Sequence, residues 1–233
     1  MAPQIPGMPP PPPVDPGQGP HGSQPLYSRG DDLIFLDTAV KMKVAAAAAG
    51  LHNASRHLSH YLSNTGEDLT LDPDRIAGEE PGLKAYIDRI VTAVLQRIAG
   101  DVAARAGYDQ PVPFQSDWHG YKCTNPDWFL AIGAVHASVS GVVTVHRPNP
   151  EGAVPRITLD CQSHLYDRYN WDGDKATTIA GMTFTDRELG GLHTAGLAKE
   201  FTMRGSSSIK HYDSALPVNG PLDLPVPPGR SGR

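Results

Sequence analysis

The sequence predicts an α+β fold: an N-terminal helical domain, then a strongly curved antiparallel sheet or half-barrel with one inserted helix. Apolar residues recur at helical spacing through the first half of the chain and at alternate positions through the second. A capping sequence, Thr185-Asp186-Arg187-Glu188, sets one further helix inside the strand-rich half. Helices first and strands after is the order of an α+β domain.

Taken in order, the chain opens on a proline-rich stretch. Ten of the 23 prolines lie in residues 1–25, five follow residue 215, and eight lie between. The run Pro9 to Pro13 favours extended polyproline II, which acts as a semi-rigid spacer or as a ligand for a proline-recognising domain. Asp31 or Asp32 is positioned to cap a helix through LIFLDTAVKMKVAAAAA, whose alanines are strong helix formers. Gly50 ends it, Asn53 is placed to cap a second helix, ASRHLSHYL, and Asn64-Thr65-Gly66 supplies turn chemistry. Asp72 and Pro73 read as a cap and first helical residue. The clearest helix covers 82–105, where Leu83, Ile87, Ile90, Val91, Val94, Leu95, Ile98 and Val102 form one broad apolar face.

The period then changes. From Gly133 to Val145 odd positions are small or apolar, while even positions carry His136, Ser138, Ser140 and Thr144. Ile157, Leu159, Cys161, Ser163 and Leu165 alternate with polar residues in the same way. These two strands predict a hairpin across the Pro/Gly/Asn-rich loop 147–155. The capping box opens a helix over 186–198, and FTMRGSSSI returns as a final strand. The resulting division is a disordered Pro-rich spacer at 1–30, a helical domain at 31–107, a sheet domain expected to carry the activity at 108–212, and a Pro/Gly-rich tail at 213–233.

Composition excludes several classes. Glycine has no period of three, so the chain is not collagen-like. A net charge of −5 and a pI near 6.0 argue against nucleic acid as a partner. No apolar run reaches membrane-spanning length. The first residues have neither the charged nor the apolar region of a cleavable signal, so export would use another route, or the chain is a piece of something longer. Cys123 and Cys161 are too few for a disulfide scaffold and read either as one pair or as two small apolar side chains.

No dinucleotide, phosphate-loop, HExxH or GxSxG signature is present. The densest polar cluster is Tyr166-Asp167-Arg168-Tyr169-Asn170-Trp171-Asp172-Gly173-Asp174-Lys175. On an extended segment Asp167 and Tyr169 share a face. Oxygen ligands at this density suit a hard cation such as Mg²⁺, with Asp167, Asp172 and Asp174 as its ligands. The same residues also make an ordinary polar turn. His57 and His60 lie one turn apart, and His193 follows the cluster as a candidate acid or base.

His60-Tyr61-Leu62 with Gly66, the long amphipathic helix, and a sheet bearing Asp167-x-Tyr169 together resemble the colicin M-type bacteriocins over about residues 55–212. The DRYNWD phrase is similar to modules of secreted interbacterial toxins of actinomycetes. The resemblance implies a helical domain and a half-barrel activity domain. It also implies Mg²⁺-dependent cleavage of lipid II between its undecaprenyl lipid and pyrophosphate. Asp167 and Tyr169 match the family motif Asp-x-Tyr-Asp. Asn170 stands where the family has its second aspartate, and Lys175, Ala176 and Thr177 stand near the place of its His-Arg pair.

An Asn amide cannot replace a carboxylate as base or nucleophile. Either Asp172 or Asp174 takes over, with Tyr169, Lys175 and His193 in support, or the domain does not hydrolyse lipid II. The expectation is therefore a secreted or delivered antibacterial toxin that acts on a lipid-linked cell-wall precursor at the membrane surface and is neutralised by an immunity protein. The alternatives are a non-catalytic module of a secreted assembly and a metal-dependent phosphoester hydrolase of other specificity.

Overall fold

The computed structural model describes residues 3–13, 17–171, 176–179 and 181–225. The helical half contains α1 (Gly30–Ala48), α2 (His52–Leu62), β1 (Leu69–Thr70), α3 (Pro73–Glu79) and α4 (Pro81–Ala104). The strand-rich half runs β2 (Pro111–Gln115), β3 (His119–Lys122), α5 (Pro126–Ala131), β4 (Ala134–Val145), β5 (Arg156–Tyr169), β6 (Ala176–Ile179), β7 (Met182–Thr185), α6 (Asp186–Thr194), β8 (Phe201–Ser206) and β9 (Lys210–Ala215).

Local chemistry explains most of these boundaries. The Asp72 carboxylate accepts the N–H groups of Asp74 and Arg75, and Pro73 opens α3. Asn125 does the same for α5. Thr185 and Glu188 form the expected capping box of α6. That helix stops at Thr194, short of 198, and Gly196 turns the chain at φ 77°. Two expected caps differ. The first helix begins at Gly30, so Asp31 and Asp32 lie in its first turn, where they favour the positive helix end. Asn53 is the second residue of α2, and its amide is drawn to Asp127 instead.

The seven-stranded sheet is mixed and open, with strand order β1-β8-β5-β4-β2. β3 continues beside β4, and β9 continues beside β5. The predicted hairpin is its spine, with Gly141 opposite Cys161 and Val145 opposite Ile157. β1 lies parallel to β8, and the other pairings of this sheet are antiparallel. β6 and β7 form a separate hairpin.

Odd-numbered residues of β4 and β5, among them Val139, Val143, Leu159 and Leu165, join Leu83, Val91 and Leu95 of α4 in one continuous core. This core extends from Ala39 to Leu224, so the helical and strand-rich halves share their buried surface.

The chain ends differ from a free spacer and tail. Carbonyls of Pro6, Gly7 and Pro10 accept bonds from Ser140, Gln115 and Trp118, which lays residues 3–13 across the sheet face opposite α4. Gly22 and Gln24 donate their N–H groups to the carbonyls of His193 and Thr194. At the other end Leu222 and Leu224 are buried, and the Leu222 N–H donates to the Thr92 hydroxyl on α4. A polyproline run has no apolar period, so nothing in its pattern announces the surface it covers. Cys123 and Cys161 are separate, buried free thiols.

Candidate functional site at the end of β5

Asp167 and Tyr169 lie two residues apart on one strand and so share a face, as expected. Tyr169 is enclosed by aromatic rings. It stacks on Phe201 at 4.8 Å and 13°, and meets Trp171 edge-on at 5.5 Å and Tyr61 at 5.7 Å. Each such pair adds about 0.5–1.5 kcal/mol beyond area burial. Burial pushes the Tyr169 phenol well above its usual range, so it stays protonated. Its surroundings make it a core aromatic rather than a side chain facing an open cleft.

Arg168 points to the other face and reaches Glu200, which precedes β8 and is wholly enclosed. His193 closes the same cluster. Its Nδ1 accepts the Glu200 N–H at 3.1 Å, and its Nε2 lies 3.9 Å from Glu200 Oε2. Burial first, then His21 and Arg168, lower its pKa to about 4, while a hydrogen bond to the Gly19 backbone opposes the shift. The ring is therefore neutral at neutral pH and engaged on both sides. In this conformation His193 holds the Glu200 turn and the N-terminal segment, and it does not present a free base. A His and an Arg thus meet around one carboxylate at the end of β5, although they are 25 residues apart in sequence.

Asn170 is partly buried, and its amide nitrogen has no hydrogen-bond partner among the described residues; the same holds for the Trp171 indole nitrogen. Asp172, Asp174 and Lys175 lie outside the described residues. Of the three expected Mg²⁺ ligands only Asp167 is described, half-buried and near enough to Cys123 to help raise that thiol's pKa. Among the described residues no group of three or more His, Cys, Asp or Glu side chains could hold a metal ion. His57 and His60 are also committed, to the carbonyls of Asn53 and Glu67.

Two features escaped the sequence reading. One is Glu80, whose carboxylate accepts bonds from Tyr121, the Thr124 hydroxyl, and the N–H groups of Thr124 and Asn125. Burial pushes this carboxyl up, but those donors outweigh it and hold the group below the usual range. The other is an open groove of about 510 Å³ where α1 meets α2. Lys43, His52, Arg56 and His60 line it together with Ser55 and Ser59, and no carboxylate does. His60 also packs edge-on against Phe201, at 4.4 Å, and so joins the groove to the rings around Tyr169. The exposed positions of α2 carried this signal at helical spacing, but its partner Lys43 lies on another helix.

No family model, no curated protein and no solved structure matches this chain. Among the described residues no helix is long and apolar enough to cross a membrane.

Proposed function

We propose that this chain is an antibacterial toxin-type domain that recognises the pyrophosphate of a lipid-linked cell-wall precursor and hydrolyses the ester joining it to the lipid. Water enters at that ester, and the products are the free polyprenol and the pyrophosphoryl saccharide. The groove between α1 and α2 carries the proposal. The Lys43 and Arg56 side chains, His52 and the serine hydroxyls, with no lining carboxylate, suit a doubly anionic ligand. The contact from His60 through Phe201 to Tyr169 sets that groove beside the Asp167-x-Tyr169 end of β5. Mg²⁺ dependence, an immunity partner, and secretion or delivery to the target envelope belong to the same reading.

Sedimentation with vesicles containing lipid II tests the groove. The natural chain should bind, and Lys43→Glu with Arg56→Glu should lose at least about tenfold in affinity, as two phosphate-facing charges are reversed. Equal binding by both proteins would remove the groove from the site.

A second reading, a non-catalytic binding module, is favoured by one observation: Tyr169 is sealed among rings and His193 is bonded on both sides. It predicts binding without turnover. A metal-dependent phosphoester hydrolase of other specificity would instead cleave a generic phosphoester and leave lipid II intact.

A further inference from the structure

The face of the sheet opposite α4 holds a segment, residues 3–13, in which seven of eleven residues are prolines, so that carbonyls outnumber N–H groups. Proline has no backbone N–H, so a proline-rich strand can be read only through its carbonyls and its rings. Three side chains from separate parts of the sheet region supply the donors. Ser140 Oγ donates to Pro6 O at 2.6 Å, Gln115 Nε2 to Gly7 O at 2.7 Å, and Trp118 Nε1 to Pro10 O at 2.7 Å. The Trp118 and Tyr166 rings, 5.9 Å apart, form an aromatic wall, and Pro9 is buried.

The serine donor is itself oriented. His164 is buried between two hydroxyls, with Nε2 2.8 Å from Ser140 Oγ and Nδ1 2.8 Å from Ser206 Oγ. Because Ser140 spends its proton on Pro6 O, His164 must donate from Nε2, and Ser206 donates to Nδ1. The relay directs the Ser140 hydroxyl outward to the segment.

We propose that this face is a binding groove for polyproline-II peptides, filled in cis by residues 3–13, and that a proline-rich segment supplied in trans takes the same place when the cis segment is displaced. The partner class follows from the cis occupant: an extended, proline-rich peptide with free carbonyls. A covalently attached ligand acts at an effective concentration of about millimolar, so the cis segment masks the groove in the natural chain.

The test uses the full-length chain with Pro9→Gly, Pro10→Ser, Pro11→Gly, Pro12→Ser and Pro13→Gly, which removes the polyproline preference without shortening the protein. A fluorescent peptide with the sequence of residues 3–13 is titrated and its anisotropy read. Saturable binding is expected, at least about tenfold tighter than to the natural chain, whose cis segment competes. Adding Trp118→Phe, which keeps a ring and removes the indole donor, should weaken it about fivefold or more.

A folded variant that fails to bind, or binding indifferent to Trp118→Phe, would overturn the proposal and leave the segment a structural strap. If the five substitutions unfold the sheet, the unmodified protein carries the test. The unmodified protein, raised to millimolar concentration against the labelled peptide, should increase its anisotropy saturably, and a flat anisotropy would overturn the proposal equally.

Discussion

Arg168 donates from both Nη2 and Nε to a single oxygen of Glu200, at 3.0 and 3.3 Å. The Glu200 side chain is completely enclosed, whereas the Arg168 side chain is about 29% exposed. Removing one member of such a pair strands the other's charge in a low-dielectric site. Arg168→Ala should therefore cost about 3–5 kcal/mol in urea unfolding, and Arg168→Lys less. A loss below about 1 kcal/mol for Arg168→Ala would show that the pair does not hold β5 to β8.

Acid should destabilise the fold through its histidines. Burial lowers His57, His164 and His193 to about 4 from an ordinary 6.5. The unfolded chain takes up these protons at a higher pH than the native one. Their stabilising contribution is complete above pH 6.5 and is lost as pH falls toward 4. Tm measured from pH 7.5 to pH 5 should drop by roughly 5 °C or more. A level Tm over that window would mean that these rings take up protons in the native state as readily as in the unfolded chain.

A side chain at position 205 would collide with backbone. A Cβ built on Gly205 would lie 1.9 Å from the Leu71 carbonyl oxygen, just past the strand that runs parallel to β8. Gly205→Ala should open this edge at a cost of about 2–4 kcal/mol, read by denaturant midpoint. An unchanged midpoint would place β1 away from β8.

Both thiols should be unreactive in the native protein. Burial pushes Cys123 and Cys161 up to about 12, and neither is paired. A thiol reagent at pH 8 should titrate no thiols in the folded protein and two after unfolding in guanidinium. Rapid native labelling of either would contradict their burial.

Deleting residues 1–25 should lower Tm by roughly 5 °C or more, because it removes the bonds to Ser140, Gln115, Trp118, His193 and Thr194. An unchanged Tm would restore the reading of these residues as a spacer.

Elements whose information is local were legible. The apolar stripe of α4, the alternation of β4 and β5, and the capping box at Thr185 each lie within one short window. Contacts between distant segments were not. Arg168 and Glu200 are 32 residues apart, and neither residue type signals the other. β9 is largely exposed, so its sequence lacks the alternation of a half-buried strand. At the candidate site Asp167 and Tyr169 were correctly placed on one face, but nothing local showed that four other rings would enclose Tyr169.

Purified protein incubated with lipid II and Mg²⁺, and assayed by chromatography for released undecaprenol, tests the central claim most directly. The proposed activity requires release by the natural chain and its loss in Asp167→Ala. Intact lipid II after prolonged incubation with folded, vesicle-bound natural protein would contradict hydrolysis and leave the binding module.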